Sequence, residues 1–364
     1  MADLRSPLTL APRGAPSRPM AYASPVFALV LTLLFGALLF LVLGKDPVAA
    51  LKVFLVDPLK DKRAIGEVLL KTVPLVLCAL GLSVCYRANV WNIGADGQLI
   101  LGGIFAGAAV LYFDTPGHTI SGPAVLVIAG LAGIIGGMAW AAITALLKDR
   151  FNANEILVSL MLTYIAQQLL LWVVNGPLKD PAGMNFPQSK VFSSEFLLPN
   201  LLSGSRLHVG FLVMLVLVAA MTVFVFRSFA GFRLQVGGTA PLAARYAGFS
   251  SRKALWSALM ISGGTAGLAG AFEVTGPIGQ LLPSISPGYG FTAIIVAFVG
   301  RLHPVGAVFG GIVMSLFYIG GEMAQSRLGL PSAIGWVFQG MLLFFLLACD
   351  TLIDNRLRWR ARAA

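Results

Sequence analysis

The stretch VWNIGADGQLILGG, residues 90–103, places polar side chains at the head of an otherwise apolar segment. Asn92, Asp96 and Gln98 follow one another closely there, and glycines lie among them. A carboxylate at membrane depth costs several kcal/mol, so a membrane protein keeps one for a structural or functional reason. The remainder of the sequence indicates whether this segment lies in a membrane.

The composition is typical of an integral membrane protein. Of 364 residues, 57% are hydrophobic and 11% are charged, whereas roughly 25% of the residues of a soluble domain are charged. Windows that are long and apolar enough to cross a bilayer lie at residues 26–44, 67–86, 91–113, 121–147, 155–175, 207–226, 255–275, 288–300, 303–322 and 333–350. The pattern predicts an all-α polytopic fold with about ten transmembrane helices, since barrel strands would alternate polar and apolar residues. The eighth window is short, and its pattern leaves open whether it spans the membrane or is re-entrant.

Lysine and arginine in the short loops predict the orientation. With a cytoplasmic N terminus, 16 of the 26 basic residues fall on the cytoplasmic side and 10 on the other. We therefore expect an inner (plasma) membrane protein with both termini in the cytoplasm, and the net charge of +11 reflects topology rather than nucleic-acid binding. The predicted domains are a disordered N terminus (1–25), a transmembrane domain (26–352) and a basic tail (353–364). The tail is interpreted as solvated, with contact to anionic membrane lipid as the alternative.

The sequence has no motif for catalysis or metal binding. It contains no phosphate-binding loop, no H-E-x-x-H and no G-x-S-x-G. The three histidines, His118, His208 and His303, are scattered and have no partner at metal-ligand spacing. We predict a transporter that is not an enzyme, with no catalytic residue, metal or cofactor of its own.

The longest cytoplasmic loop, residues 227–253, contains a predicted surface helix at about 239–248. Thr239 would cap this helix, Pro241 suits its first turn, and Gly248 would end it. A short helix outside the bilayer is either a docking knob for a partner protein or an interfacial helix anchored to lipid headgroups. The residues alone leave both alternatives open.

Two pairs of segments suggest an inverted repeat, an arrangement common in transporters. NIGADGQLILGG in the third window corresponds to PGYGFTAIIVAFVGRLHPVGAVFGG in the eighth and ninth. NEILVSLMLTYIAQQ in the fifth corresponds to SAIGWVFQGMLLF in the tenth. Because the chain has 41 glycines, chance similarity is the alternative explanation.

Five blocks together resemble a known family: WNIGADGQLILGG, NEILVSLMLTYIA, AARYAGFSSRKA, GGTAGLAGAFEVTG and GYGFTAIIVAFVGRLHPVGAVFGG. They are similar, in order and spacing, to blocks of ABC transporter permeases of the nucleoside-importer type. The larger family includes ribose-type sugar and branched-chain amino-acid permeases. The resemblance covers roughly residues 65–350, and its first block is the most specific.

The resemblance implies a type II importer-like permease of ten helices in two inverted repeats. It also implies partners: two ATP-binding subunits that use the ATP, a second homologous permease in a heterodimer, and an extracytoplasmic substrate-binding lipoprotein. The 239–248 helix then becomes the coupling helix to the ATP-binding subunits. Its contact residues would be Pro241, Ala244, Arg245, Tyr246 and Gly248.

Three positions depart from the family pattern and leave the identity of the solute open. Asp96 stands where family members usually have Glu, Thr163 replaces a common Asn, and Thr292 replaces a common Asp. The predicted function is import of nucleosides or related purine compounds. The alternatives are import of a simple sugar or branched-chain amino acid, or an ion-coupled secondary transporter or passive channel.

The polar head of the third window has two interpretations. Gly94 and Gly97 would break the helix or admit a close backbone, and Asn92 would cap a half-helix. Asp96 and Gln98 would then tie the broken segment to its neighbours or bind a solute. The full set of substrate-pathway candidates is Asn92, Asp96, Gln98, Gln167, Gln168, Asn175, Tyr289 and Phe291. Such a set suits a nucleoside, which offers a flat base for stacking and ribose hydroxyls for amide groups.

Three acidic residues lie near predicted helix ends. Glu273 and Glu322 lie near outer ends and Glu155 near an inner one, and we expect them to be solvated at the interface. In the ion-coupled alternative, Asp96 and Glu273 would relay a proton.

Overall fold

The computed structural model describes residues 8–15, 17–115, 120–202 and 204–359. The chain divides into two compact units, one of residues 60–315 and one of residues 1–59 with 316–364. The described residues form thirteen α-helices: α1 (Arg18–Val42), α2 (Pro47–Leu51), α3 (Lys62–Arg87), α4 (Ala95–Phe113), α5 (Gly122–Phe151), α6 (Glu155–Asn175), α7 (Gly210–Arg227), α8 (Phe229–Thr239), α9 (Pro241–Tyr246), α10 (Ser251–Glu273), α11 (Tyr289–Val299), α12 (Pro304–Leu328) and α13 (Ile334–Asp354).

Nine helices within the described part of the chain are long and apolar enough to cross a membrane, namely α1, α3 to α7, α10, α12 and α13. The short helix α11 has 11 residues, so it is about 16 Å long, roughly half the thickness of the hydrocarbon core. The ten predicted apolar windows correspond to these nine helices and to α11. The eighth apolar window forms a half-helix that follows the non-helical residues 279–288.

The terminal segments are more ordered than the sequence suggested. Leu8–Pro12 (β1) pairs antiparallel with Asn355–Trp359 (β2), and α1 begins at Arg18 with Pro19 in its first turn. Main-chain hydrogen bonds between the strands supply an order that composition does not reveal. The predicted disorder through residue 25 therefore differs from the structure where the structure describes these residues, and the solvated state of the tail stays a prediction. Residues 1–7, 16 and 360–364 lie outside the described residues.

The unit of residues 60–315 contains one motif twice: a long helix, a non-helical segment and a second helix. These are α3 and α4 joined by residues 88–94, and α10 and α11 joined through a π-helical turn and residues 279–288. Gly81 lies against Ser262, so α3 packs closely on α10. In addition, α3 packs against α11 and α4 packs against α10. The long helix of each copy of the motif thus packs against the second helix of the other copy, which agrees with the predicted inverted repeat.

Candidate functional site

The polar stretch that opens α4 is a break between two membrane helices. Residues 88–94 are non-helical, and α4 begins at residue 95 rather than at residue 91, with Gly94 as its N-cap residue. One turn later the chain admits a neighbouring backbone at Gly97. A Cβ on Gly97 would lie 2.9 Å from the Cα of Thr163 in α6, so only glycine fits there.

Asn92 and Gln98 form a buried network that braces this break. The Asn92 amide donates to Gln98 Oε1 at 3.1 Å and to Ser262 Oγ in α10 at 3.0 Å. Asn92 does not cap α4 as predicted, because its Oδ1 accepts from the N–H of Gly94 at 2.9 Å, before the helix begins. Buried polar groups that find partners inside the chain hold segments in place. This geometry favours the bracing interpretation of Asn92 and Gln98.

Asp96 joins the N terminus of α4 to the N terminus of α11. Its side chain is buried, and Oδ1 accepts from Ser286 Oγ at 2.7 Å and from the N–H of Gly290 at 2.8 Å. The two helix ends are in direct contact, since a Cβ on Gly290 would lie 2.1 Å from the backbone N of Asp96. Helix N termini carry partial positive charge. The carboxylate of Asp96 therefore lies where two such ends meet.

Ser286 fixes the turn that leads into α11. Its hydroxyl accepts from the N–H of Gly288 at 3.2 Å and of Tyr289 at 3.0 Å. Gly288 has φ of 91°, in the left-handed region that favours glycine. Ser286 thus satisfies the start of the helix and contacts Asp96, a role that the sequence analysis missed.

A second buried cluster surrounds Tyr289, the first residue of α11. Its hydroxyl accepts from Lys71 Nζ in α3 at 2.9 Å and donates to Glu273 Oε1 in α10 at 3.4 Å. The Lys71 ammonium also lies 5.5 Å from the centre of the Tyr289 ring. Glu273 is only 7% exposed, so the expectation that it is solvated at an interface is wrong. Ionisable groups inside membrane proteins are commonly paired in this way.

Lys71 was assigned to the outer side of the membrane from the sequence, but it lies within α3. The available signal was that Lys71 is the one lysine within the apolar window 67–86. Among the other acidic residues, Glu155 pairs with Lys148 at 2.9 Å, and Glu322 is exposed.

The remaining pathway candidates lie apart from the buried networks. Gln167, Gln168 and Asn175 are exposed on α6, and Asn175 donates to the carbonyl of Leu171 in its own helix. Phe291 is 37% exposed on α11. The structure brings together Asn92 with Gln98 and Asp96 with the start of α11, but it does not bring the α6 amides to them.

The predicted surface helix corresponds to α9, which is shorter than expected. It is preceded by Ala240 rather than capped by Thr239, whose hydroxyl bonds the carbonyl of Gln235. The residues predicted to contact an ATP-binding subunit lie in α9 or directly after it: Pro241, Ala244, Arg245, Tyr246 and Gly248. Gly248 has φ of 77° and ends the segment as predicted. Ala244 is buried, whereas Tyr246 is 98% exposed.

Arg87, at the end of α3, connects α8 with the residues that follow α11. Its Nε donates to the carbonyl of Leu302 at 2.9 Å, and its Nη1 donates to Gln235 Oε1 in α8 at 3.0 Å. The guanidinium also lies 4.9 Å from the centre of the Phe226 ring. These contacts make Arg87 a direct link between α8 and the residues that follow α11. The sequence analysis counted Arg87 only as a topology signal.

The histidines of the described residues are not gathered at a metal site, and no group of three His, Cys, Asp or Glu side chains there could hold a metal ion. His118 lies outside the described residues. His208 is buried before α7, and its Nδ1 accepts from the N–H of Gly210 at 3.1 Å. Burial lowers the pKa of His208 to about 4. The imidazole is therefore neutral near physiological pH.

Comparison with known proteins gives consistent results. The family described as branched-chain amino acid transport system, permease component, matches residues 64–347. The chain is 34% identical to the glucose ABC transporter permease protein of Haloferax volcanii, with 94% of this chain and 91% of that protein covered. It is 30% identical to the guanosine ABC transporter permease protein of Bacillus subtilis, with 88% and 92% covered. It is 26% identical to a nucleoside ABC transporter permease protein of Lactococcus lactis subsp. cremoris, with 88% and 89% covered.

The matched region contains both interrupted helices and the segment with α8 and α9. Its relatives are membrane transport components rather than enzymes. This multi-pass helical chain therefore belongs to the ABC transporter permeases of the branched-chain amino acid transport system family.

Proposed function

We propose that this chain is the membrane-spanning permease subunit of an ATP-driven importer for nucleosides or related purine compounds. The observation that carries the proposal is the similarity, over nearly the whole chain, to permeases named for guanosine and for nucleosides. The two interrupted helices support it. Transporters bind their solutes where broken helices leave backbone groups at membrane depth.

The centre of the proposed pathway is the meeting point of α4 and α11. Asp96 and Tyr289 are the candidates there, while Asn92 and Gln98 brace the first break. Gln167, Gln168, Asn175 and Phe291 are exposed on the surface of this chain. These four side chains would line a solute path only along the interface with a second permease, and we propose that position for them.

The proposed partners are two ATP-binding subunits, a second homologous permease that forms a heterodimer, and an extracytoplasmic substrate-binding lipoprotein. ATP would be used by the ATP-binding subunits. The side chains of Leu242 and Tyr246 on α9 are exposed and form a protruding surface on which these subunits would dock. Arg87 connects α8 with the residues that follow α11. We place the chain in the inner membrane with both termini in the cytoplasm, as the distribution of basic residues indicates.

A simple sugar is the second candidate solute. The observation in its favour is the 34% identity to a permease named for glucose. A nucleoside and a monosaccharide share a ring that carries several hydroxyl groups, so both suit amide and carboxylate side chains. Competition experiments distinguish them.

The test is uptake of radiolabelled guanosine in cells with and without this gene, with competition by other nucleosides, glucose, ribose and leucine. The proposal requires uptake that is lost in the deletion strain and is competed only by nucleosides. Unchanged guanosine uptake with lost glucose uptake would establish the sugar candidate instead. In proteoliposomes of the purified complex, uptake driven by a proton gradient without ATP would contradict the ABC mechanism.

A further inference from the structure

A cavity of about 720 Å³ lies between α8, α9 and the first turns of α10, and no residue of the two helix breaks lines it. Four residues predicted to contact an ATP-binding subunit do line it, namely Pro241, Ala244, Arg245 and Gly248. Its lining includes Arg233 of α8, Arg245 of α9 and Lys253 of α10. A cavity of this size matches the volumes at which proteins bind small molecules. The charges and the apolar lining indicate which kind of molecule fits.

The cavity is positive and uncompensated. No carboxylate of the described residues lines it, and Arg233, Arg245 and Lys253 form no ion pair within the described part of the chain. The neighbouring Arg252, by contrast, has an acidic partner, because its Nε lies 2.7 Å from Asp149 Oδ2. All three side chains are exposed, and the Arg233 guanidinium lies 5.6 Å from the centre of the Phe229 ring. Cations without acidic partners attract an anionic group. Ser250, Ser251 and Ser257 also line the cavity. The hydroxyls of Ser250 and Ser251 can donate hydrogen bonds there, whereas the Ser257 hydroxyl donates to the carbonyl of Lys253 at 2.7 Å.

Part of the lining is apolar and comes from α8 and from the membrane helices α7 and α10. Phe224 lies near the end of α7, Leu234 is buried on α8, and Ile261 lies within α10. Ile261 follows the first residue of α10 by ten positions, which corresponds to about 15 Å along the helix. A ligand that fills this cavity therefore has an anionic end near the helix termini and an apolar part that extends along the spans.

We infer that this cavity binds an anionic phospholipid, with the phosphate among Arg233, Arg245 and Lys253 and the acyl chains along α7 and α10. Basic pockets between membrane helices on the cytoplasmic side suit acidic headgroups. A free phosphate would leave the apolar lining unused, and an acidic side chain of a protein partner would not reach Ile261. The site goes beyond the proposed transport function, because it makes the permease dependent on the lipid composition of its membrane.

The test uses the complete transporter complex, purified in a neutral detergent, stripped of lipid and exposed to equal amounts of phosphatidylglycerol and phosphatidylcholine. Native mass spectrometry then counts the retained lipids. We expect phosphatidylglycerol to be retained preferentially. The double variant Arg233→Gln/Lys253→Gln should bind it at least about tenfold more weakly, since each cation near the headgroup contributes to the attraction. Each single variant should lose part of this affinity.

The matched control is Arg150→Gln, which removes the charge of an exposed arginine at the end of α5 outside the cavity. This variant should retain phosphatidylglycerol as the wild type does, and all variants should elute as intact complexes. Equal losses in the control and the double variant would overturn the proposal. Displacement by millimolar inorganic phosphate would assign the cavity to a free anion, and phosphatidylglycerol binding only without the ATP-binding subunits would assign it to the protein partner.

Discussion

The two interrupted helices of residues 60–315 are held by different chemistry. The break before α4 is braced by uncharged groups, the amides of Asn92 and Gln98 and the hydroxyl of Ser262. The break before α11 involves ionisable groups, with Asp96 at its helix terminus and the Lys71–Tyr289–Glu273 cluster beside it.

This difference leads us to expect different roles for the two breaks. Neutral hydrogen bonds satisfied within the chain cost little to keep and make a rigid brace. Buried charges depend on accurate pairing, and the loss of one partner leaves a charge uncompensated. We therefore expect the first break to serve folding and the second to serve transport. The predictions below test this division, beginning with the largest expected effect.

Gly290→Ala should cause the largest loss of stability. The new Cβ would lie 2.1 Å from the backbone N of Asp96, and backbone cannot move aside as a flexible side chain does. We expect a loss of about 3 kcal/mol, measured by thermal unfolding in detergent. Gly340→Ala is the matched control, because nothing lies within 4 Å of the corresponding Cβ. Equal melting temperatures of the two variants would show that the helix ends are not in contact.

Asn92→Ala should destabilise the first break by about 2 kcal/mol, since Gln98 and Ser262 lose their buried partner. Uptake per folded molecule should remain at the wild-type level. Asn175→Ala makes the same chemical change at an exposed position and is the control for stability only, which it should change little. If Asn92→Ala keeps its stability but loses uptake, Asn92 acts on the solute and the division between the two breaks fails.

Asp96→Asn should lower the initial rate of uptake about tenfold, which corresponds to ~1.4 kcal/mol, while changing stability less than Asn92→Ala does. The amide keeps one acceptor for Gly290 but removes the charge at the meeting helix ends. Asp96→Glu restores the charge, so it should transport better than Asp96→Asn. Glu322→Gln, at an exposed acid, is the control. Full uptake by Asp96→Asn would show that transport does not require the charge of Asp96 at the second break.

Tyr289→Phe deletes the hydroxyl between Lys71 and Glu273 and should cost about 1 kcal/mol of stability. Thermal unfolding and uptake should be measured together, and we expect both to decrease. Tyr164→Phe, at an exposed tyrosine on α6, should change neither. A Tyr289→Phe variant indistinguishable from the wild type in both assays would show that the cluster has no role.

Acidification should destabilise the second break through His208, a residue that lies outside the membrane-spanning helices. The ring of His208 packs on Gly276, in the turn that leads into residues 279–288. Burial lowers the pKa of His208 to about 4, whereas an unfolded histidine titrates near 6.5. The unfolded chain therefore binds more protons between these values, so stability is complete above about pH 6.5 and is lost as the pH falls toward 4.

The expected loss at pH 6 is about 0.8 kcal/mol, seen as a lower melting temperature than at pH 8. The variant His208→Gln should lose this pH dependence. Retention of the full dependence in that variant would assign it to another group.

Much of the architecture was predictable from local patterns. Apolar windows identified the nine long helices, because each spans the bilayer with its own backbone hydrogen bonds. The sequence left open whether the eighth window spans the membrane, because its apolar run continues toward α12, and the structure shows a helix of 11 residues there. The short surface helix α9 was also anticipated, since Pro and Gly signals act on neighbouring residues.

The candidate site was likewise predictable only in part. By itself, the sequence determined that Asn92, Asp96 and Gln98 stand at a helix start within a membrane segment, since this depends only on order along the chain. Tertiary structure alone decided their partners. Asp96 meets Gly290, and Lys71 meets Glu273 through Tyr289, across separations of about 200 residues. Such contacts depend on which helices pack together, and local propensity contains no information about that choice.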